Sequence, residues 1–270
     1  MRAGLEVAER PDAAMARDPV ILRAHDLGKT YTSRSGEPVV AVQDVDFELA
    51  RGEFIALVGP SGCGKSTTLN LIGGLITRTT GSLVFEGSQV TGPRREIGMM
   101  FQAPVLFPWR TALQNVLLPM DVRGEKRSKH RDRAAGLLEL VGLAGSADRY
   151  PRELSGGMQQ RVALARLLLE DPEVFLLDEP FGALDEFTRE AMNLELLDIW
   201  SGSGKTVLLV THNIQEAVFL SDRVFVMSPG PGRLTEVLDV DLPRPRRIPM
   251  MREQGFQDLV FEVRRVLGAL

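Results

Sequence analysis

The sequence predicts an α/β fold: a mixed, largely parallel sheet with flanking helices, an N-terminal antiparallel β part and an inserted all-helical subdomain. Three observations predict it. Phe54–Val58, Val174–Leu177 and Thr206–Val210 are short, continuously apolar runs, the pattern of strands buried on both faces of a parallel sheet. A glycine-rich loop at 59–64 separates the first of these runs from helix-compatible residues, which gives the order strand, loop, helix. The stretch from about Ala103 to Leu168 lacks β-branched runs and reads as helical throughout.

The elements follow in chain order. Residues 1–19 carry Glu6, Glu9, Arg10, Asp12, Arg17 and Asp18 with no apolar stretch, so they are expected to form a mobile extension and not a secretory signal. Val39–Leu49 alternates apolar and polar residues (Val40, Val42, Val45, Phe47, Leu49), as a half-exposed strand does. Gly81–Gly87 and Ile97–Gln102 are further strands, the second ending at Gln102. Helices are expected at Lys65–Gly73, Ser155–Leu169, Glu186–Trp200 and Asn213–Leu220. Within the insert, Lys126–Leu143 places Ala134, Leu137, Leu138 and Val141 at helical spacing. Its charged start is either a solvated face or a contact for lipid headgroups. The Pro-Arg-Pro-Arg-Arg-Ile-Pro run from 243 interrupts regular structure, and Phe256, Leu259, Val260 and Val263 mark a last helix. The expected organisation is therefore an extension at 1–19, a main domain at 20–241 with a helical subdomain at about 103–168, and a tail and helix at 242–270.

Composition narrows the function classes. The chain has 270 residues, 44% hydrophobic and 25% charged, with net charge −4, which gives no reason to expect a nucleic-acid partner. No apolar run approaches the ~20 residues of a membrane span. The single cysteine, Cys63, excludes an internal disulfide. It is either a small residue suited to a tight turn or a redox switch.

Residues Gly59-Pro60-Ser61-Gly62-Cys63-Gly64-Lys65-Ser66-Thr67 match the phosphate-binding loop pattern, which makes the core that of a phosphate-loop NTPase. Glycines let successive N–H groups turn inward toward phosphate oxygens, and the helix behind adds its positive end. Lys65 is placed to reach the outer phosphates, and the Ser66 hydroxyl to ligate Mg²⁺. Val174–Leu177 then delivers Asp178 and Glu179. The first is placed for the Mg²⁺ shell, the second to orient or deprotonate a water near the terminal phosphate. A similar run, Gly202-Ser203-Gly204-Lys205-Thr206, fails the spacing because Ile199 stands where the first glycine belongs. It precedes a strand and reads as a helix-to-strand turn.

Leu154-Ser155-Gly156-Gly157-Met158-Gln159-Gln160 is a second anion surface, with a serine hydroxyl and glycine N–H groups at a helix start. It resembles the signature of ATP-binding-cassette (ABC) ATPases, and the resemblance runs from about Ile21 to Val240. It implies that Ser155, Gly156, Gly157 and Gln159 of one subunit close over the ATP held by the phosphate loop of another, in a head-to-tail homodimer. It also implies roles for four more residues. Tyr31 stacks on adenine, unless it is a strand aromatic of the core. Gln102 touches Mg²⁺ and the water. Asp185, in Gly182-Ala183-Leu184-Asp185, crosses the dimer interface, although Gly182 stands where many relatives carry serine. His212 lies near the γ-phosphate. His25 and His130 have no such context.

Three further stretches, Phe101–Trp109, Glu179–Asp185 and Met227–Arg233 with Leu242–Arg246, resemble nitrate, sulfonate and taurine importer ATPases. This group includes suppliers of thiamine precursors. The resemblance implies an ATPase coupled to transmembrane transport, at the cytoplasmic face of the cell membrane. Its partners would be permease subunits and a solute-binding protein. Val105, Leu106, Phe107 and Trp109 are then either the permease dock, with Trp109 as anchor, or packing beneath the insert. A soluble ABC clamp, a small-molecule kinase and a non-hydrolysing adaptor are the other readings. The kinase does not explain Leu154–Gln160, and Glu179 with His212 argues against the adaptor.

Overall fold

In a parallel strand covered on both sides, successive side chains enter different cores, so every position must be apolar. The computed structural model, which describes residues 20–182 and 184–268, shows this directly. In β3 (Phe54–Val58), Phe54, Ala56 and Val58 join one buried cluster while Ile55 and Leu57 join another. The expected extension at 1–19 lies outside the described residues, as does Ala183.

The main sheet has six strands in the order β10 (Leu234–Asp239), β9 (Arg223–Met227), β3, β8 (Thr206–Val210), β7 (Val174–Asp178) and β6 (Ile97–Met100). All neighbours are parallel except β10, which returns antiparallel on β9. A second, antiparallel sheet is ordered β2 (Pro38–Ala50), β1 (Val20–Thr32), β4 (Thr80–Phe85), β5 (Ser88–Gln89). One cluster fills the space between the two sheets around α1 (Lys65–Ile72). The other lies on the opposite face of the main sheet. It packs under α6 (Glu186–Ser203), α7 (Ile214–Leu220) and α8 (Gln254–Val266), and extends into the segment joining β6 to β7.

That segment contains α2 (Ala112–Val116), α3 (Leu118–Val122), α4 (Arg131–Leu140) and α5 (Gly156–Glu170), and no strand among the described residues. It connects two adjacent strands at the sheet edge and does not separate two halves of the sheet. The single helix expected at 126–143 is two pieces, a 3-10 turn at Arg127–Lys129 and then α4. Asp121 draws the Arg127 guanidinium back by paired bonds of 2.5 and 2.7 Å. The strand expected at 97–102 stops at Met100, whose partner Leu177 is the last residue opposite it. Gln102 therefore lies beyond the strand. The Gly202–Thr206 run is a turn: Gly204 ends α6 in the left-handed region at φ 66°, and β8 starts at Thr206.

The tail has a structural task. Arg246 is buried and donates to the carbonyls of Val218, Phe219 and Ser221 at 3.0, 3.0 and 2.6 Å, which closes the C-terminal end of α7. Charge-assisted bonds of this kind stabilise by about 1.5–3 kcal/mol each. They hold the helix that carries His212 just ahead of its first turn.

Candidate functional site

The phosphate loop sits at the carboxyl end of β3. Gly62 and Gly64 adopt φ of 75° and 101°, which any side chain would strain, and Gly64 caps α1. A Cβ on Gly64 would come within 2.8 Å of the Ala41 carbonyl. Lys65 is buried, and its ammonium donates to the carbonyls of Gly59 and Pro60 at 2.8 and 2.9 Å. Among the described residues no carboxylate forms an ion pair with it, and its charge is held by the loop's own oxygens. Pro60, Gly64 and Thr67 are half-buried, while Ser61 and Ser66 face solvent.

Asp178 ends β7, and its Oδ1 accepts the Ser66 hydroxyl at 3.2 Å. Burial raises its carboxyl above the ordinary range. The negative Glu179 adds to that, and the Ser66 hydroxyl and Lys65 oppose it. A hydroxyl and a carboxylate held against its own desolvation are hard oxygen donors of the kind a magnesium ion fits. Glu179 takes φ 44°, with its N–H bonded to Val210 O at 2.9 Å, and this bend separates the two acids. Its Oε2 accepts Gln102 Nε2 at 3.1 Å and lies 3.2 Å from His212 Nδ1. Oε1 has no hydrogen-bond partner among the described residues. Four elements thus deliver Ser66, Asp178–Glu179, Gln102 and His212 to one place.

The other sequence-predicted residues make contacts of their own. The Ser155 hydroxyl caps α5 through Met158 N at 3.3 Å, and Ser155 and Gly156 are exposed. Gly157 packs on Leu184, where a Cβ would stand 3.2 Å from its methyl group. Gln159 bonds the carbonyls of Pro151 and Leu154 at 3.0 and 3.2 Å and so shapes the approach to α5. Asp185 caps α6 through Thr188 N and Oγ1 at 3.0 and 2.7 Å, and those bonds hold its carboxyl below the usual range. Tyr31 is exposed, with the Lys29 ammonium 5.1 Å from its ring, so it is not a core aromatic. Val105 and Trp109 are also exposed. Trp109 stacks on Phe107 at 5.0 Å, whereas Leu106 packs against the core. His25 and His130 pair with Asp46 and Glu125 at the surface. Cys63 is fully buried, as a small turn residue would be.

Sequence reasoning missed two supports. Gln160 Nε2 donates to Gln102 O at 2.7 Å, and Arg166 donates to the carbonyls of Pro104 and Val105 at 2.9 and 2.8 Å. Helix α5 therefore grips the segment after Gln102, including Val105 in the left-handed region at φ 44°. Behind His212, the Thr211 hydroxyl accepts Asn213 N at 3.0 Å and donates to the buried Glu216 carboxyl. Asn213 in turn caps Glu216 N at 3.1 Å. The Asn213-x-x-Glu216 spacing is a helix-start signal that pointed here.

Burial raises Glu216 above its ordinary 4.5, with Thr211, Asn193, Arg189 and His212 opposing it. An acid raised on folding keeps its full stabilising contribution below the unfolded value and loses it as pH rises through the folded value. Glu216→Gln keeps the acceptor for Thr211 and cannot ionise. Its melting temperature is therefore expected to rise relative to wild type as pH goes from about 5 to about 8. Melting curves across that range check it.

The ABC transporter family pattern matches residues 42–182. The chain belongs to the ABC transporter family, as an ATP-hydrolysing subunit. It is 45% identical over 231 residues to the nitrate import ATP-binding protein of Synechocystis sp., covering 86% of each chain. It is 43% identical over 229 residues to the aliphatic sulfonates import ATP-binding protein of Bacillus cereus, covering 85% of this chain and 89% of that one. A solved dimeric ATP-binding cassette in a post-hydrolysis state with ADP and phosphate matches with TM-score 0.74 and 33% identity. That match covers 82% of this chain and all of the other.

Proposed function

We propose that this ABC subunit uses ATP hydrolysis between two copies of itself to drive uptake of a small oxyanion, of the nitrate or sulfonate class, through membrane permeases. The observation that carries the catalytic part is the meeting of Gln102 and His212 on one oxygen of Glu179, beside the Ser66–Asp178 bond. The import relatives support the solute class, and favour it over a thiamine precursor or a soluble clamp. No described helix is long and apolar enough to cross a membrane, which suits a peripheral subunit supplied with separate permeases. The complete system would add a solute-binding protein.

Each residue has a task. The loop N–H groups of 59–67 and the positive end of α1 bind the outer phosphates of the substrate ATP. Lys65 leaves the Gly59 and Pro60 carbonyls to reach them. Ser66, Asp178 and Gln102 would hold Mg²⁺, which supplies charge neutralisation at the phosphates when bound. Glu179 presents Oε1 to a water while Gln102 and His212 fix Oε2, so the base is oriented before it accepts a proton. Tyr31 offers its exposed face to adenine.

The exposed tip at Ser155–Gly156 takes the ATP of the twin, with Gly157, Gln159 and Asp185 shaping the contact. The helical stretch at about 103–168 moves as a body with that tip. Because Gln160 and Arg166 tie α5 to the segment carrying Trp109, closure is passed to the surface where a permease docks. ATP binding drives closure because only the closed state gains these contacts.

Ser155→Arg tests the sandwich. The variant is expected to bind ATP as a monomer with unchanged affinity and to lose turnover, measured by equilibrium binding and by phosphate release. Loss of monomer binding, or full turnover, contradicts the proposal.

A further inference from the structure

The run Met227-Ser228-Pro229-Gly230-Pro231-Gly232-Arg233 has no task in the mechanism above, yet it forms the turn from β9 to β10 and lies against the phosphate loop. A Cβ added to Gly232 would stand 1.8 Å from the Cys63 carbonyl oxygen, which is closer than any side chain allows. A Cβ on Gly59 would meet Met227 O at 3.1 Å, and one on Gly230 would stand 3.8 Å from Gly62 O. Gly232 has nowhere to retreat. Its N–H donates to Ala41 O at 3.0 Å, and its carbonyl accepts Gln43 N at 2.9 Å. The same stretch of β2 presses Gly64 from the other side through Ala41 O and Val42. Gly232 does not occupy the left-handed region, so alanine would meet no backbone strain there and only the missing space would be felt.

We infer that Gly232 is a positioning residue for the phosphate loop: pinned to β2, its bare backbone sets the height of the Cys63 peptide and so aims the loop's N–H groups at the phosphates. The inference rests on residues 59–67 being the nucleotide site. A side chain at 232 displaces the loop because the two bonds to β2 hold the turn in place. Misplacement of a binding group by about 1 Å costs up to about 10²-fold.

The test uses the full chain with Mg²⁺ and ATP, and compares wild type, Gly232→Ala, Ser228→Ala and Lys65→Ala by equilibrium ATP binding and steady-state turnover. Gly232→Ala is expected to weaken ATP binding by about tenfold or more. It should raise KM in proportion while kcat at saturation is kept, a split that a general loss of folded protein does not produce. Ser228→Ala removes the hydroxyl that bonds Pro231 O and Arg233 N at 3.2 and 3.1 Å. It loosens the turn without crowding, so it decides the matter if Gly232→Ala does not fold, and a smaller rise in KM is expected. Wild-type affinity in the Gly232 and Ser228 variants, with binding lost in Lys65→Ala, overturns the positioning role alone. A fall in kcat without a rise in KM overturns it as well. Unchanged binding in Lys65→Ala overturns the nucleotide-site reading beneath it.

Discussion

Replacing Glu179 by glutamine is expected to cut ATP turnover by about 10²–10⁴-fold, the usual contribution of a positioned base, while ATP binding stays near wild type. The amide keeps the shape of the side chain and an oxygen for Gln102, which donates at 3.1 Å. It cannot accept a proton from water. With hydrolysis stopped, the closed dimer has no route to reopen, so ATP should convert the variant from monomer to a long-lived dimer. Size-exclusion chromatography with light scattering, run with ATP, reads the dimer, and phosphate release reads turnover. Undiminished hydrolysis would remove Glu179 from the base position, although its contact with His212 at 3.2 Å would stand.

Lys65→Ala should act earlier, on binding. The lysine ammonium is buried on loop carbonyls at 2.8 and 2.9 Å and exchanges these neutral acceptors for phosphate oxygens. Loss of two charge-assisted bonds costs about 3–6 kcal/mol, or roughly 10²- to 10⁴-fold in Kd. The substitution also removes the cation whose charge favours ionised Asp178, so binding should fall further when Mg²⁺ is present than when it is chelated. Titration with a fluorescent ATP analogue, with and without the chelator, measures both effects. Unchanged affinity would displace the nucleotide from residues 59–67.

The two predictions differ in how visible their residues are in the sequence. β3 and β8 are read to the residue and β7 to within one, because a strand covered on both faces must be apolar at every position and a glycine or polar turn closes it. Lys65, Ser66 and Asp178 are legible for a related reason, since their place at a strand end or helix start is local. β10 escapes detection because it is an exposed edge strand whose side chains face solvent, so its hydrophobic pattern is weak. β1 escapes because its pairing is broken by register shifts around Leu27, which blur the alternation. β9, Arg223–Met227, carries the same apolar signal after its first residue.

Long-range bonds lie beyond pattern reading altogether. Nothing local shows that Gln160 reaches Gln102 O across 58 residues of chain, or that Gly232 abuts Cys63. Gln102 illustrates the middle case. Its identity was legible by resemblance, but its place past the strand, and its bond to the same Glu179 oxygen that His212 approaches, belong to the fold.

The specific ATPase activity of the isolated chain, measured across a dilution series that spans its monomer–dimer transition, tests the shared-site account most directly. The account predicts that activity per subunit collapses as the dimer dissociates, tracking the dimer fraction and not the ATP-bound fraction. A rate per subunit that stays constant far into the monomer range would contradict it.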